Sequence, residues 1–140
     1  GLHAVRLDHN RVHAIASRDI AKAVGDLPDR ERLEAQTFLI HNELPASFEA
    51  WKAALSMHDL EPAAIDHYDS GQLMLEAAKQ GLGIAIMHDD HMRRAADDRL
   101  TDLFGIDVES PYSYWFVCKP TALEERPVRI FHDWLVRAEL

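Results

Sequence analysis

The sequence is poor in cysteine and in long apolar runs. Its one cysteine, Cys118, cannot form a disulfide within the chain, which is typical of a reducing compartment, so we expect a cytoplasmic protein. No apolar run approaches the ~20 residues that a transmembrane helix needs. The first residues also lack the basic and then apolar pattern of a signal peptide. We therefore expect no membrane association.

Basic residues are also scarce. The sequence has 15 Lys and Arg and 24 Asp and Glu, which gives a net charge of −9. Nucleic-acid binding depends on neutralising phosphates with Lys and Arg, and the only adjacent basic pair here is Arg93-Arg94. The chain itself is therefore not expected to bind DNA. With 140 residues and 47% hydrophobic content, it can still bury a substantial core.

Motifs for catalysis and for cofactor binding are missing. Ser70 lacks the Gly-x-Ser-x-Gly frame of a nucleophile elbow. The glycines of Gly81-Leu82-Gly83 follow a predicted helix and precede a predicted strand, the reverse of a dinucleotide-binding loop. We therefore predict no enzymatic activity, no cofactor and no metal.

Two histidine groups suggest a metal as an alternative. His88 and His91 flank two aspartates, and imidazole and carboxylate are good ligands, so a small metal-dependent enzyme is one rival hypothesis. His3, His9 and His13 fall close together in a predicted hairpin. Helix capping by the aspartates and solvation of the histidines explain both groups more simply.

Strand and helix patterns alternate along the chain. Residues 2–8 and 11–17 alternate apolar and polar side chains, which predicts two strands joined by a turn at His9-Asn10. Short helices are predicted over 19–24 and 30–34. Residues 37–41 form an apolar strand, and Ser47 is predicted to cap a helix whose buried stripe is Phe48, Trp51 and Leu55.

The clearest pattern covers residues 69–87. Asp69 and Gln72 have the spacing of a capping box, and the predicted buried face of the helix consists of Leu73, Met74, Ala77 and Ala78. Gly81 supplies a left-handed helix end. The apolar run 83–87 is typical of a strand buried on both faces. A helix, a glycine and a buried strand in this order indicate an α/β fold.

The C-terminal segment predicts an amphipathic helix that begins near Glu125 or Pro127. Its apolar stripe consists of Val128, Phe131, Trp134, Leu135 and Ala138. The alternating run Tyr112–Cys118 before it predicts a strand.

Several segments together resemble the regulatory domain of LysR-type transcription regulators. The most specific is the run from Met74 to Ile86, which resembles the helix and the following G-x-G-[IV]-[AS] strand of that family. Residues 38–41, 60–62 and 127–135 follow in matching order. Two prolines common in the family are replaced, by Arg18 and by His88. The chain most resembles the subgroup that includes glycine-cleavage and β-lactamase activators.

The resemblance implies a type-2 periplasmic-binding-protein-like α/β fold, mostly the second regulatory subdomain with a mixed sheet flanked by helices. Residues 1–119 would form this effector-binding subdomain, and residues 120–140 a C-terminal helix that normally belongs to subdomain one. The winged helix-turn-helix of the family has no counterpart here, so DNA would be contacted only through an N-terminal domain that this sequence lacks. The stripe of the C-terminal helix would then lose its usual partner, and we expect self-association through it, as a homo-oligomer, or packing on the chain's own sheet.

The function implied is that of a ligand-sensing fragment which binds a small-molecule effector in a cleft. The resemblance assigns one wall of this cleft to two strand ends and a helix start, that is, to Ile40, His41, Asn42, Asp69, Ser70, Gln72, Met87 and His88. Asp69 and Ser70 at the helix start favour a polar or zwitterionic effector. A fragment of a solute-binding protein for transport is the main alternative function.

Overall fold

The computed structural model describes residues 2–6, 10–89, 98–112, 115–119, 121 and 126–137. These residues form seven strands and five helices. The strands are β1 (His3–Arg6), β2 (Val12–Ser17), β3 (Thr37–His41), β4 (Ala64–Tyr68), β5 (Ile84–His88), β6 (Leu100–Asp102) and β7 (Trp115–Cys118). The helices are α1 (Arg18–Val24), α2 (Arg30–Glu34), α3 (Pro45–Ala54), α4 (Gly71–Lys79) and α5 (Arg126–Arg137). The helix that the two aspartates between His88 and His91 are expected to cap, over residues 89–97, lies largely outside the described residues. None of the described helices combines the length and the apolarity that crossing a bilayer requires.

The chain divides into two compact units, residues 1–10 with 112–140, and residues 11–111. The first unit contains a two-stranded antiparallel ribbon of β1 and β7, in which His3 pairs with Cys118, and the helix α5. The assignment of 1–119 and 120–140 to two regulatory subdomains stays a prediction.

The second unit is a five-stranded mixed sheet in the order β4-β3-β5-β2-β6. Strand β3 is parallel to both β4 and β5, whereas β2 is antiparallel to β5 and β6. The α/β fold class with a mixed sheet flanked by helices is therefore confirmed.

Helices cover both faces of this sheet. Because side chains alternate along a strand, Phe38 and Ile40 of β3 pack in one apolar cluster with Phe48 and Trp51 of α3. Leu39 of the same strand packs in a second cluster with residues of α4. Strand β5 is buried along its whole length, as its apolar sequence predicts.

The predicted hairpin of residues 2–8 and 11–17 is wrong. Strand β2 has β5 on one edge and β6 on the other, so it has no free edge on which β1 could pair. Strand β1 pairs with β7 instead. The histidines follow this change, because Nε2 of His3 lies 2.9 Å from Nε2 of His132, while His13 belongs to the large sheet. His9 lies outside the described residues.

The two glycines between α4 and β5 are needed for different structural reasons. Gly81 has a φ of 76°, the left-handed backbone that the sequence predicts after this helix. A Cβ atom on Gly83 would lie 2.6 Å from the carbonyl oxygen of Thr37. Gly83 therefore permits β5 to start in close contact with β3.

Candidate functional site

The candidate site is the edge of the large sheet at which its parallel strands β3, β4 and β5 end. Register pairs His41 with Tyr68, and the amide of Asn42 donates a hydrogen bond of 2.7 Å to the carbonyl oxygen of Tyr68. On the other side of β3, Leu39 pairs with Ala85, two and three residues before Met87 and His88. The carboxyl ends of parallel strands are where α/β sheets commonly bind ligands. We call this place the carboxyl edge.

The eight residues predicted for ligand binding all lie at or next to the carboxyl edge, but their side chains differ in exposure. Asn42, Asp69 and Gln72 are exposed, and His41 and Ser70 are half-buried. Ile40, Met87 and His88 are buried. Ile40 and Met87 belong to the clusters on opposite faces of the sheet, so these two side chains contribute to the core and do not converge on one point.

Ser70, not Asp69, caps the start of α4. The Ser70 hydroxyl accepts a hydrogen bond of 3.4 Å from the amide of Leu73. The predicted capping box is therefore wrong by one residue, because a serine followed by Gly71 competes with the aspartate for the cap. The predicted buried face shifts accordingly, since Leu75 is buried and Leu73 is exposed. Asp69 stays exposed just before the helix.

His41 has a defined hydrogen-bonding state at the end of β3. Its Nδ1 accepts a hydrogen bond of 3.1 Å from the amide of Glu43. A neutral ring that accepts at Nδ1 carries its proton at Nε2. His41 therefore offers an N–H donor at the carboxyl edge.

Behind the carboxyl edge lies a buried polar cluster that sequence reasoning missed. The Ser47 hydroxyl lies 2.8 Å from Nε2 of His88, and the Ser110 hydroxyl lies 3.5 Å from the same nitrogen. All three residues are buried. The prediction that Ser47 caps α3 is wrong, because the helix begins at Pro45, whose ring favours the first turn. Ser47 thus enters the first turn and reaches His88.

A second polar cluster joins β2, β6 and the residue after β5. Nδ1 of His13 lies 2.8 Å from a carboxylate oxygen of Asp102, and Nε2 contacts the carboxylate of Asp89. The hydrogen bond to Asp102, followed by that to Asp89, outweighs partial burial and raises the pKa of His13 to about 9. His13 is therefore an imidazolium at neutral pH, held between two carboxylates. No sequence pattern indicated this cluster, since Asp102 is 89 residues away in the chain.

Cavities occur elsewhere in the same unit. One of about 490 Å³ is lined by Arg18, Lys22, Asp26 and Thr101, among others. It lies beside α1, which follows the end of the antiparallel strand β2, so it is on the opposite edge of the sheet from His41 and His88. Its lining combines basic, acidic and neutral residues, and it contains none of the eight residues predicted for ligand binding.

Metal binding at His88 and His91 has no support in the described part of the chain. His88 shares a hydrogen bond with Ser47, and His91 lies outside the described residues. Among the residues that the structure describes, no group of three or more His, Cys, Asp or Glu side chains is arranged to hold a metal ion.

Comparison with known proteins identifies relatives of the whole chain. Residues 1–139 match the LysR substrate binding domain family. The HTH-type transcriptional activator AmpR of Enterobacter cloacae is 30% identical over 138 residues, which are 97% of this chain and 46% of that protein. The chain therefore spans about half the length of this curated relative.

Solved structures agree on the fold. The effector domain of AmpR from Pseudomonas aeruginosa superposes with a TM-score of 0.67 at 24% identity, covering 97% of this chain and 63% of that one. The CcmR regulatory domain of Synechocystis PCC6803, in complex with 2-PG, superposes with a TM-score of 0.69 at 18% identity. The match covers 96% of this chain and 65% of that one. Full-length LysG of Corynebacterium glutamicum, with bound effector Arg, superposes with a TM-score of 0.67 at 20% identity. The match covers 97% of this chain and 46% of that one. The family is regulatory and not catalytic, which agrees with the missing catalytic motifs and favours regulation over transport. The chain belongs to the LysR substrate binding domain family.

Proposed function

We propose that the carboxyl edge forms one wall of an effector site, and that a small molecule bound there controls a LysR-type transcription regulator. The observation that carries the proposal is the convergence of three parallel strand ends, at His41, Tyr68 and His88, beside the start of α4. DNA would be contacted by a separate domain of the longer regulator, since the net charge of this chain is −9. A regulator of this kind acts in the cytoplasm, where the DNA is.

The exposed groups at this edge favour an effector that carries one negative and one positive group. The first amides of α4 attract a negative group, and the Asp69 carboxylate next to them attracts a positive one. The Nε2–H group of His41 and the amide side chain of Asn42 add neutral hydrogen bonds. An amino-acid-like or peptide-like zwitterion fits these groups. We infer that the chain belongs to the subgroup of glycine-cleavage and β-lactamase activators, an inference that its similarity to AmpR supports.

Effector binding would act by shifting a population of arrangements. A ligand changes an equilibrium only by its difference in affinity for the two states. The buried cluster of Ser47, His88 and Ser110 joins the start of α3 to the end of β5 and to the segment after β6. This cluster would transmit a displacement at the carboxyl edge to three parts of the sheet unit.

Amide chemical shifts measured by NMR test where ligands bind. The chain would be titrated with a panel of free amino acids and dipeptides, with 2-PG and arginine included because two relatives bind them. We expect the amide signals of Asn42, Ser70 and Gln72 to shift when the ligand binds. When the ligand is a zwitterion, these shifts should be lost in the Asp69→Asn variant. The Asp66→Asn variant, on the exposed strand β4, is the matched control. Shifts confined to the cavity beside Arg18 and Lys22 would contradict the proposal.

A further inference from the structure

A pair of histidines in the smaller unit lies outside everything that the proposed function uses. Nε2 of His3, on β1, lies 2.9 Å from Nε2 of His132, on α5. The two ring centroids are 4.9 Å apart and the rings are tilted by 55°. The His132 side chain is only 15% exposed. Two imidazole nitrogens 129 residues apart in sequence are therefore in hydrogen-bonding contact at a partly desolvated place.

Asp133 fixes the ring state of His132. Nδ1 of His132 donates a hydrogen bond of 3.2 Å to a carboxylate oxygen of Asp133, so the neutral ring has its lone pair at Nε2, on the side of His3. A carboxylate behind the second ring nitrogen is the arrangement that orients histidines which ligate metals and raises their basicity. The Asp133 side chain is half exposed, which agrees with an outer position.

We propose that His3 and His132 bind a divalent transition metal ion of the class that prefers imidazole, such as Ni²⁺ or Zn²⁺. Two metal–nitrogen bonds of about 2.0–2.1 Å at a tetrahedral angle hold the nitrogens about 3.3 Å apart. The observed 2.9 Å needs to open by only about 0.4 Å. When the ion binds, the proton between the two Nε2 atoms passes to solvent and His3 takes up a proton at Nδ1, so that both rings ligate as neutral imidazoles.

The remaining coordination positions belong to water, because no third ligand is arranged there among the described residues. The site differs from the carboxyl edge in place and in chemistry, since it takes an ion and joins β1 to α5 within the smaller unit. Its consequence is a cross-link between two segments at opposite ends of the sequence. A metal ion at this site would strengthen the contact between α5 and β1.

Titration of the tag-free chain with NiCl₂ tests the site. Because Ni²⁺ is paramagnetic, amide signals near the bound ion broaden first, at less than one equivalent. We expect early broadening around His3 and His132 in the unmodified protein, which needs no variant to fold. Broadening centred elsewhere, for example at the exposed His58 or His67, would overturn the proposal.

Variants give the second measurement, by calorimetry. His3→Gln and His132→Gln are each expected to weaken Ni²⁺ binding by about tenfold or more, and Asp133→Asn by about tenfold, because it removes the orienting carboxylate. His67→Gln, on β4 of the other unit, is the matched control and should bind as the unmodified chain does. Unchanged affinity in His3→Gln and His132→Gln would show that the metal binds elsewhere.

Discussion

The hydroxyl of Ser47 lies 2.8 Å from Nε2 of His88, and both residues are buried. This hydrogen bond joins the first turn of α3 to the last residue of β5. Because the Ser110 hydroxyl also lies 3.5 Å from this nitrogen, Ser47→Ala removes one buried hydrogen bond without leaving His88 unpartnered, and one such bond contributes about 0.5–1.5 kcal/mol. We therefore expect Ser47→Ala to lower the free energy of unfolding by that amount, measured by urea denaturation.

The control for this variant is Thr101→Ala, which removes an exposed hydroxyl from β6. Exposed substitutions of this kind change stability by about 0.5 kcal/mol or less. If Ser47→Ala and Thr101→Ala have the same small effect, the hydrogen bond between Ser47 and His88 does not contribute to stability.

His13 makes stability depend on pH in a defined window. Its pKa is raised from 6.5 to about 9 by Asp102 and Asp89, so protonation of His13 favours the folded state. That contribution is complete below pH 6.5 and is lost as pH rises from 6.5 through 9. It amounts to a few kcal/mol at most, on the order of 1.4 for each unit of pKa before solvent screening. Thermal melting between pH 6 and 10 should therefore show a decline that His13→Gln removes.

The exposed His67 provides the comparison for this prediction. It lies on the edge strand β4, so His67→Gln should leave the decline between pH 6.5 and 9 unchanged. A His13→Gln variant whose stability still falls over this range, in parallel with the unmodified chain, would assign the pH dependence to other groups.

A side chain at Gly83 is expected to destabilise the fold. An alanine Cβ there would lie 2.6 Å from the Thr37 carbonyl oxygen and 3.0 Å from a methyl group of Leu39, so strand β5 would have to move away from β3. Such overpacking costs about 1–3 kcal/mol. We expect Gly83→Ala to lower the denaturation midpoint clearly more than Gly105→Ala does. At Gly105 the backbone has a φ of 58° but the space around a Cβ is open. Equal losses would mean that the close approach at Gly83 is relieved without cost.

Helix α5 presents a large apolar surface. Trp134 is 62% exposed and Phe131 54%, and their rings stack with centroids 6.4 Å apart. Exposed apolar patches of this kind favour association. We expect light scattering to show a second copy binding at high concentration, and Trp134→Lys to shift the association to higher concentration. Arg129→Lys on the same helix keeps the charge and should associate as before. A monomer at all concentrations would contradict the expected self-association.

The sequence predicted best what depends on neighbours along the chain. The helix over 71–79, the left-handed Gly81 and the buried strand β5 are confirmed, because apolar spacing and glycine chemistry act within a few residues. The short helices predicted over 19–24 and 30–34 are also present, and Gly25 ends the first whereas Asp29 caps the start of the second. Family resemblance then supplied the fold type, a mixed sheet flanked by helices, which the structure confirms.

Contacts between distant segments were predicted poorly. The alternating patterns of residues 2–8 and 11–17 indicate strands but do not specify partners, so the hairpin was a false inference from proximity. Ser47 illustrates the same difficulty with distant contacts. A serine before an apolar stripe is compatible with a helix cap, and it is equally compatible with a buried contact to a residue 41 positions away. The eight predicted ligand residues were located by resemblance, and their part in binding stays a prediction.

The pairing of Arg11 with Glu109 has a practical consequence for protein engineering. These two residues form an antiparallel bridge, and the amide of Val12 donates a 2.8 Å hydrogen bond to the carbonyl oxygen of Val108. The two ends of the unit that spans residues 11–111 therefore lie side by side. A segment with adjacent ends can be inserted as a cassette into a surface loop of a host protein without stretching either one. We therefore expect residues 11–111 to be transferable into a host protein as one cassette.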